Sequence, residues 1–225
     1  MNNRCAALLA CVTACTVLAL PRTAAAGGTL AVSISGAAGE PIAGAVVIAE
    51  PLQPVARTHS AQKAVAVMDQ HNLMFVPDVL VVMTGTAVDF PNSDQVRHQV
   101  YSFSPAKKFE LALYAGRAHA PIVFDKPGLV TLGCNIHDNM LGYIWVTDSP
   151  WFARTAADGR LQLHELPPGD YNVHIWHALL NETGAQLEQR ISIADNQSGT
   201  ASFRLSRPLR APTHNHGADG KWADY

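Results

Sequence analysis

Charge is scarce in this chain. Only 15% of its 225 residues are Asp, Glu, Lys or Arg, and the formal net charge is −2. Such a balance leaves no basic footprint for nucleic acid and no polybasic patch for an anionic membrane. Long apolar runs are missing too. The longest, Cys5 to Leu20, falls short of the roughly 20 residues that a membrane-spanning helix needs. Helical periodicity is nearly absent, which excludes a helical bundle. Cysteine is sparse, and three of the four, Cys5, Cys11 and Cys15, fall in the opening stretch.

That opening stretch reads as an export signal over residues 1–26. Arg4 gives a short positive start, Cys5 to Leu20 is almost wholly apolar, and Pro21 breaks the run. Ala24-Ala25-Ala26 then supplies an A-x-A site, with cleavage expected before Gly27. The expectation is an exported, periplasmic protein without a membrane span. The alternative is a lipoprotein cut before Cys15, after Val12-Thr13-Ala14. Cleavage after Ala26 leaves Cys134 as the sole thiol, so no internal disulfide can form. In an oxidising compartment an unpaired cysteine is a liability unless it is bound or shielded. A buried inert thiol is the plain reading of it.

Short runs rich in Val, Ile, Leu and Phe alternate with Gly, Pro, Asp and Asn, a spacing that predicts an all-β sandwich or a pair of them. Strands are expected at 29–35, 45–49, 65–68, 79–83, 87–90, 99–103, 122–124 and 129–132, then at 142–147, 161–163, 171–176, 188–193 and 200–205. Turn signals bound them at Gly39-Glu40-Pro41, Pro91-Asn92-Ser93-Asp94, Lys126-Pro127-Gly128, Asp158-Gly159 and Pro167-Pro168-Gly169. From Arg207 the apolar pattern stops, and 207–225 reads as a flexible tail.

Two stretches resemble known families. The segment GTLAVSISGAAGEPIAGAVVIAEP, from Gly28, resembles the start of a carboxypeptidase-regulatory-like, transthyretin-type sandwich. Its continuation is found only after residue 150, in TAADGRLQLHELPPGDYNVHIWH. The expected arrangement is therefore a host sandwich from 27–58 and 151–206, interrupted by a second domain at 59–150. Insertion at a loop tip is tolerated because chain ends in such sandwiches lie close together. Two tandem domains are the alternative.

Residues 65–147 resemble the plastocyanin-like cupredoxins. One matching element is FVPDVLVVMTGTAVDFPNSDQVRHQV, Phe75 to Val100, and it contains an N-x-D-x3-H pattern ending at His98. The other is DKPGLVTLGCNIHDNM, Asp125 to Met140, whose C-x2-H-x2-M spacing is the short loop of amicyanin-type members. The resemblance implies a Greek-key β-sandwich holding one type-1 (blue) copper ion, with His98, Cys134, His137 and Met140 as its ligands. The donor types suit that metal: two imidazoles and a thiolate with a weak thioether serve copper in both oxidation states. Zinc more often recruits a second cysteine or a carboxylate. Strand parity adds an expectation that Val96, His98 and Val100 face the core, as do Val130, Leu132 and Cys134. Where many relatives have Asn after the first histidine this chain has Gln99, a change expected to bear on the potential.

The functional expectation is a one-electron carrier rather than an enzyme. The flanks of Cys134 are Gly133 and Asn135, not the histidines that wire a second copper. A saturated site also leaves no open position for Lewis-acid chemistry. The resemblance implies redox protein partners such as a c-type cytochrome or a dehydrogenase, as for bacterial methylamine-utilisation or plastocyanin-like proteins. It also implies exchange through the edge of His137, with Ile136, Pro77 and Phe75 as the apolar rim. A copper carrier or sensor with a partner-docking sandwich is the alternative. A Cys134–His137 thiol nucleophile is the enzymatic one, and no orienting Asn or Asp is evident for it. His174 and His177, three apart in a strand, fall on opposite faces and are not expected to share an ion. The tail's His214 and His216 could bind a stray metal. Trp145, Trp151 and Trp176 read as core or inter-domain packing.

Overall fold

The computed structural model describes residues 27–55, 65–117, 119–137, 139–184 and 187–211. The expected signal (1–26), His59, Asp138 and the tail histidines His214 and His216 lie outside the described residues. Among the described residues there are seventeen strands and no α-helix. In order they are β1 (Gly28–Ser35), β2 (Val46–Pro51), β3 (Ala66–Val67), β4 (Asp69–His71), β5 (Met74–Val76), β6 (Val79–Met83), β7 (Thr86–Asp89), β8 (His98–Ser104) and β9 (Lys107–Tyr114). Then come β10 (Ile122–Phe124), β11 (Gly128–Gly133), β12 (Leu141–Thr147), β13 (Phe152–Arg154), β14 (Arg160–Leu166), β15 (Gly169–Trp176), β16 (Glu188–Ile193) and β17 (Ser198–Arg204).

The chain is all-β, built as two sandwiches. In the first, sheet β14-β1-β17 faces sheet β13-β2-β15-β16. Alternation along β1 and β15 turns Leu30, Val32 and Ile34 towards Tyr171, Val173 and Ile175, giving one dry core with Trp151 and Phe203. The Tyr171 hydroxyl is anchored on the carbonyl of Pro167 at 2.7 Å, and burial pushes its pKa up to about 12.

The second sandwich sets the five-stranded sheet β6-β12-β11-β8-β9 against the small sheet β10-β7-β3, with the hairpin β4-β5 at one end. Its core holds Met68, Phe75, Val88, Phe90, Val100, Phe124, Leu132 and Ile144. Phe90, Phe109 and Phe124 form a ring cluster with centroids 5.6 to 6.4 Å apart. Phe124 is fully buried. Phe124→Ala should destabilise the protein by about 3–5 kcal/mol, read as a lower denaturant midpoint, since a cavity replaces the ring.

The strands of the first sandwich come from 28–51 and 152–204, and those of the second from 66–147. The two meet along a seam. Val79, Val81, Tyr143 and Trp145 on the outer face of β6 and β12 lie against Val46, Ile48, Phe152 and Trp176. Trp176 contacts both Tyr143, at a centroid distance of 5.2 Å, and Trp145, at 5.5 Å. Arg154 ties the seam's edge, donating to Asp78 Oδ1 at 3.0 Å, the Val79 carbonyl at 3.1 Å and the Gly44 carbonyl at 3.1 Å.

Four strands, β4, β5, β9 and β13, fall outside those expected from the sequence. Three of them are only three residues long and depend on tertiary partners. The eight-residue β9 does not: Phe109, Leu111 and Leu113 alternate with Lys108, Glu110 and Ala112, so its period-two signal is present. It then departs from strict alternation, because the pairing with β8 shifts register between His98 and Val100.

Candidate metal centre

Topology brings the predicted ligands to one end of the five-stranded sheet. β11 and β12 pair antiparallel from Gly128↔Val146 to Gly133↔Leu141, so the loop 134–140 closes a hairpin. β8 pairs antiparallel with β11 at Gly133↔Tyr101, which sets the start of β8 beside the end of β11. His98, the first residue of β8, therefore arrives next to Cys134, the first residue after β11. Within the loop the Met140 N–H donates to the His137 carbonyl at 2.9 Å, folding the chain back over the edge.

Three donor atoms converge there. His98 Nδ1 lies 3.1 Å from His137 Nδ1, and Cys134 Sγ lies 3.9 Å from the first and 3.6 Å from the second. A point equidistant from all three would lie roughly 2.1 Å from each, inside the ~2.0–2.3 Å reach of nitrogen- and sulfur-ligated metals. His98, Cys134 and His137 form the one such cluster found among the described residues. His98 and Cys134 are buried and His137 is half-buried, so one imidazole edge faces outward. Met140 is buried in the same core cluster as Cys134.

The second face of His98 fixes its tautomer. Nε2 lies 2.8 Å from Asp94 Oδ2, so this nitrogen carries the proton and donates it, leaving the Nδ1 lone pair aimed at the cluster. Asp94 is itself held: the Asn72 N–H donates to Oδ1 at 2.7 Å and the Leu73 N–H to Oδ2 at 2.9 Å. Its own N–H donates to Asn92 Oδ1 at 2.9 Å, and the Asn92 amide nitrogen donates to the Val96 and Tyr114 carbonyls, each at 2.9 Å. Burial pushes the Asp94 carboxyl up, yet the Leu73 N–H, the His98 imidazole and the Asn72 N–H outweigh it and hold the pKa below 3.8. Tyr114, opposite His98 in β9, donates to the Phe90 carbonyl at 2.5 Å and accepts from Gln70 Nε2 at 2.5 Å. Burial pushes its pKa up to about 12.

The pKa of His137 is lowered from 6.5, first by burial and then by the neighbouring His98, with Asp94 acting in the opposite sense. Its imidazole is thus neutral at neutral pH, with a free lone pair. The sign for stability follows. Below 6.5 the unfolded chain binds a proton that the folded chain resists, so the metal-free protein loses stability as pH falls through that range. Metal-free His137→Gln protein should show a flatter stability profile between pH 7 and 5, measured by urea denaturation.

Several expectations need correction in detail. Val96 is 48% exposed, because the strand begins only at His98, after a loop whose carbonyl at Val96 is held by Asn92. Phe75 is 2% exposed and belongs to the core, where it closes on Gly142; a β-carbon on that glycine would sit 2.8 Å from the Phe75 β-carbon. Of the expected rim, Ile136 is 51% exposed and Pro77 half-buried. The Gln99 amide turns to Glu110 Oε1 at 2.5 Å and not to the loop. His174 lies beside Trp145, at a centroid distance of 5.8 Å, while His177 falls beyond the end of β15. Sequence reasoning placed Asp94 within a motif but missed its hold on His98. A carboxylate four residues before a candidate ligand is the signal that was available.

No family model matches the chain, and no curated protein matches it. Among solved structures, it is similar to the Cu-containing nitrite reductase (NirK) from Thermus scotoductus SA-01, at 28% identity with a TM-score of 0.35. That alignment spans 42% of this chain and only 25% of the reductase. A purple cupredoxin from Nitrosopumilus maritimus aligns at 22% identity over 36% of this chain and 99% of its own, with a TM-score of 0.33. Amicyanin in a reduced state aligns at 20% identity over 44% of this chain and 98% of its own, with a TM-score of 0.34. Scores of this size carry no weight beside the donor geometry.

Proposed function

We propose that this chain is a copper protein of the type-1 kind, acting as an electron carrier and not as an enzyme. His98, Cys134, His137 and Met140 would be the ligands. The observation that carries the reading is the triangle of His98 Nδ1, His137 Nδ1 and Cys134 Sγ, whose sides suit a single bonded ion. The donors are two imidazoles and one thiolate, with a buried thioether from the same loop, a set fitted to copper. Copper held there would supply a one-electron couple.

The residues around it do the rest. Asp94 holds His98 in one tautomer and one orientation. Burial of Cys134 and Met140 in the apolar core keeps water from the inner side of the thiolate. His137 and Ile136 present the exposed edge, where a redox protein partner would dock. The reading includes export through residues 1–26 and a guest domain at 59–150 in a host sandwich from 27–58 and 151–206.

Loading the purified protein with copper tests the proposal. The expected result is an intense visible thiolate-to-copper band, a type-1 electron paramagnetic resonance spectrum and reversible reduction with copper retained. A colourless copper complex would overturn it. Ready surrender of the ion to a chelator would favour a copper carrier instead.

A further inference from the structure

The hairpin β4-β5 carries a second set of soft donors that the reading above leaves unused. Its turn, Asn72-Leu73, has both residues in the left-handed region, at φ +54° and +56°, the two-residue turn suited to a twisted hairpin. Leucine is disfavoured there by roughly 1–2 kcal/mol, so something must hold it. Asp94 does so by accepting both turn N–H groups, which fixes the hairpin beside His98.

Registration then decides what faces outward. Gln70 and Phe75 pair and point inward, both buried, so the next pair, His71 and Met74, shares the opposite, open face. Directly opposed residues in such a hairpin have β-carbons about 4.5–5.5 Å apart. The His71 side chain is 55% exposed, and its Nδ1 lies 3.9 Å from Asp94 Oδ1. The other oxygen of that carboxylate is the one that holds His98. An exposed imidazole and a half-buried methionine are thus paired on one face of the hairpin, one carboxylate away from a predicted ligand.

We propose that His71 and Met74 form a second, exchangeable binding position for cuprous ion at the margin of the metal centre. It rests on the copper reading. Thioether and imidazole select Cu(I) over the hard cations, and two donors suffice for an ion that accepts low coordination numbers. Asp94 Oδ1 adds negative charge on the near side. The exposure of His71 makes the position open to exchange, in contrast to the buried His98 and Cys134.

The test counts Cu(I) equivalents held by the reduced, copper-loaded protein in its processed form, from Gly27 onward and so without Cys5, Cys11 and Cys15, against a chromophoric Cu(I) chelator, without oxygen. Two equivalents per chain are expected, the second held more weakly. His71→Ala and Met74→Leu should each reduce the count to one, while the visible band of the oxidised protein, which reports the centre and the fold, stays unchanged. A His214→Asn/His216→Asn double variant should still hold two. One equivalent in the unaltered protein overturns the proposal, and so does a second equivalent that survives either hairpin change. Failure of the copper reading is distinguishable, because it removes the visible band whatever the count at the hairpin.

Discussion

Cys134→Ser gives a folded protein whose copper complex has no intense visible band. Serine nearly matches the thiol in size, so the apolar core to which Cys134 belongs needs little adjustment. The electronic change is total, because the band arises from charge transfer out of a thiolate and a hydroxyl offers a hard, protonated oxygen in its place. Two imidazoles still face each other at 3.1 Å, so the ion can remain, in a geometry closer to tetragonal. Visible absorption and electron paramagnetic resonance of the Cu(II)-loaded variant check this. An undiminished band in the serine variant would mean that the sulfur of Cys134 is not a ligand.

The second large effect is expected at Asp94, which touches no metal. Asp94→Ala should weaken copper binding about 10–100-fold, the usual scale for removing a carboxylate behind a ligating histidine. It should also cost about 1–3 kcal/mol of stability for a buried donor left without a partner. Three donors lose their acceptor at once: His98 Nε2–H and the N–H groups of Asn72 and Leu73. Asp94→Asn separates the two roles. It keeps the shape but has one oxygen where two are used. With that oxygen in the Oδ2 place, His98 and the Leu73 N–H keep their acceptor and only the Asn72 N–H meets an amide N–H. Copper binding should therefore hold while the turn loosens. Competition against a chelator gives the first quantity and urea denaturation the second. The pH dependence carries its own sign. A carboxyl whose folded pKa lies below 3.8 contributes stability above that value and loses it as pH falls through the lower, folded one.

Much of the architecture was legible in the sequence for a definite reason. Strand alternation and turn residues are local signals, and they located most of the strands of both sheets in each sandwich. The loop from Cys134 to Met140 was legible because its ligands are close in sequence and lie between two strand-like runs. His98 was legible through its motif, although the reason it points inward is not simple parity from Val96. The strand starts at His98 itself, and its pairing with β9 is irregular immediately afterwards. What could not be read was tertiary: that Asp94 reaches back to the imidazole and forward to a hairpin about twenty residues earlier, that Phe75 closes on a glycine of β12, and that Gln99 turns to Glu110. Such contacts depend on which strands become neighbours, which no local pattern records.

The indole seam between the sandwiches has a mechanical consequence. The polypeptide passes from one body to the other twice, between residues 51 and 66 and again between 147 and 152, and Trp176 wedges against Tyr143 and Trp145 in between. Swivelling about a single tether is therefore denied. A docking protein that grips the first sandwich would meet the His98–Cys134–His137 cluster at a set bearing and range, so that one half of the molecule serves as a fixed handle on the other.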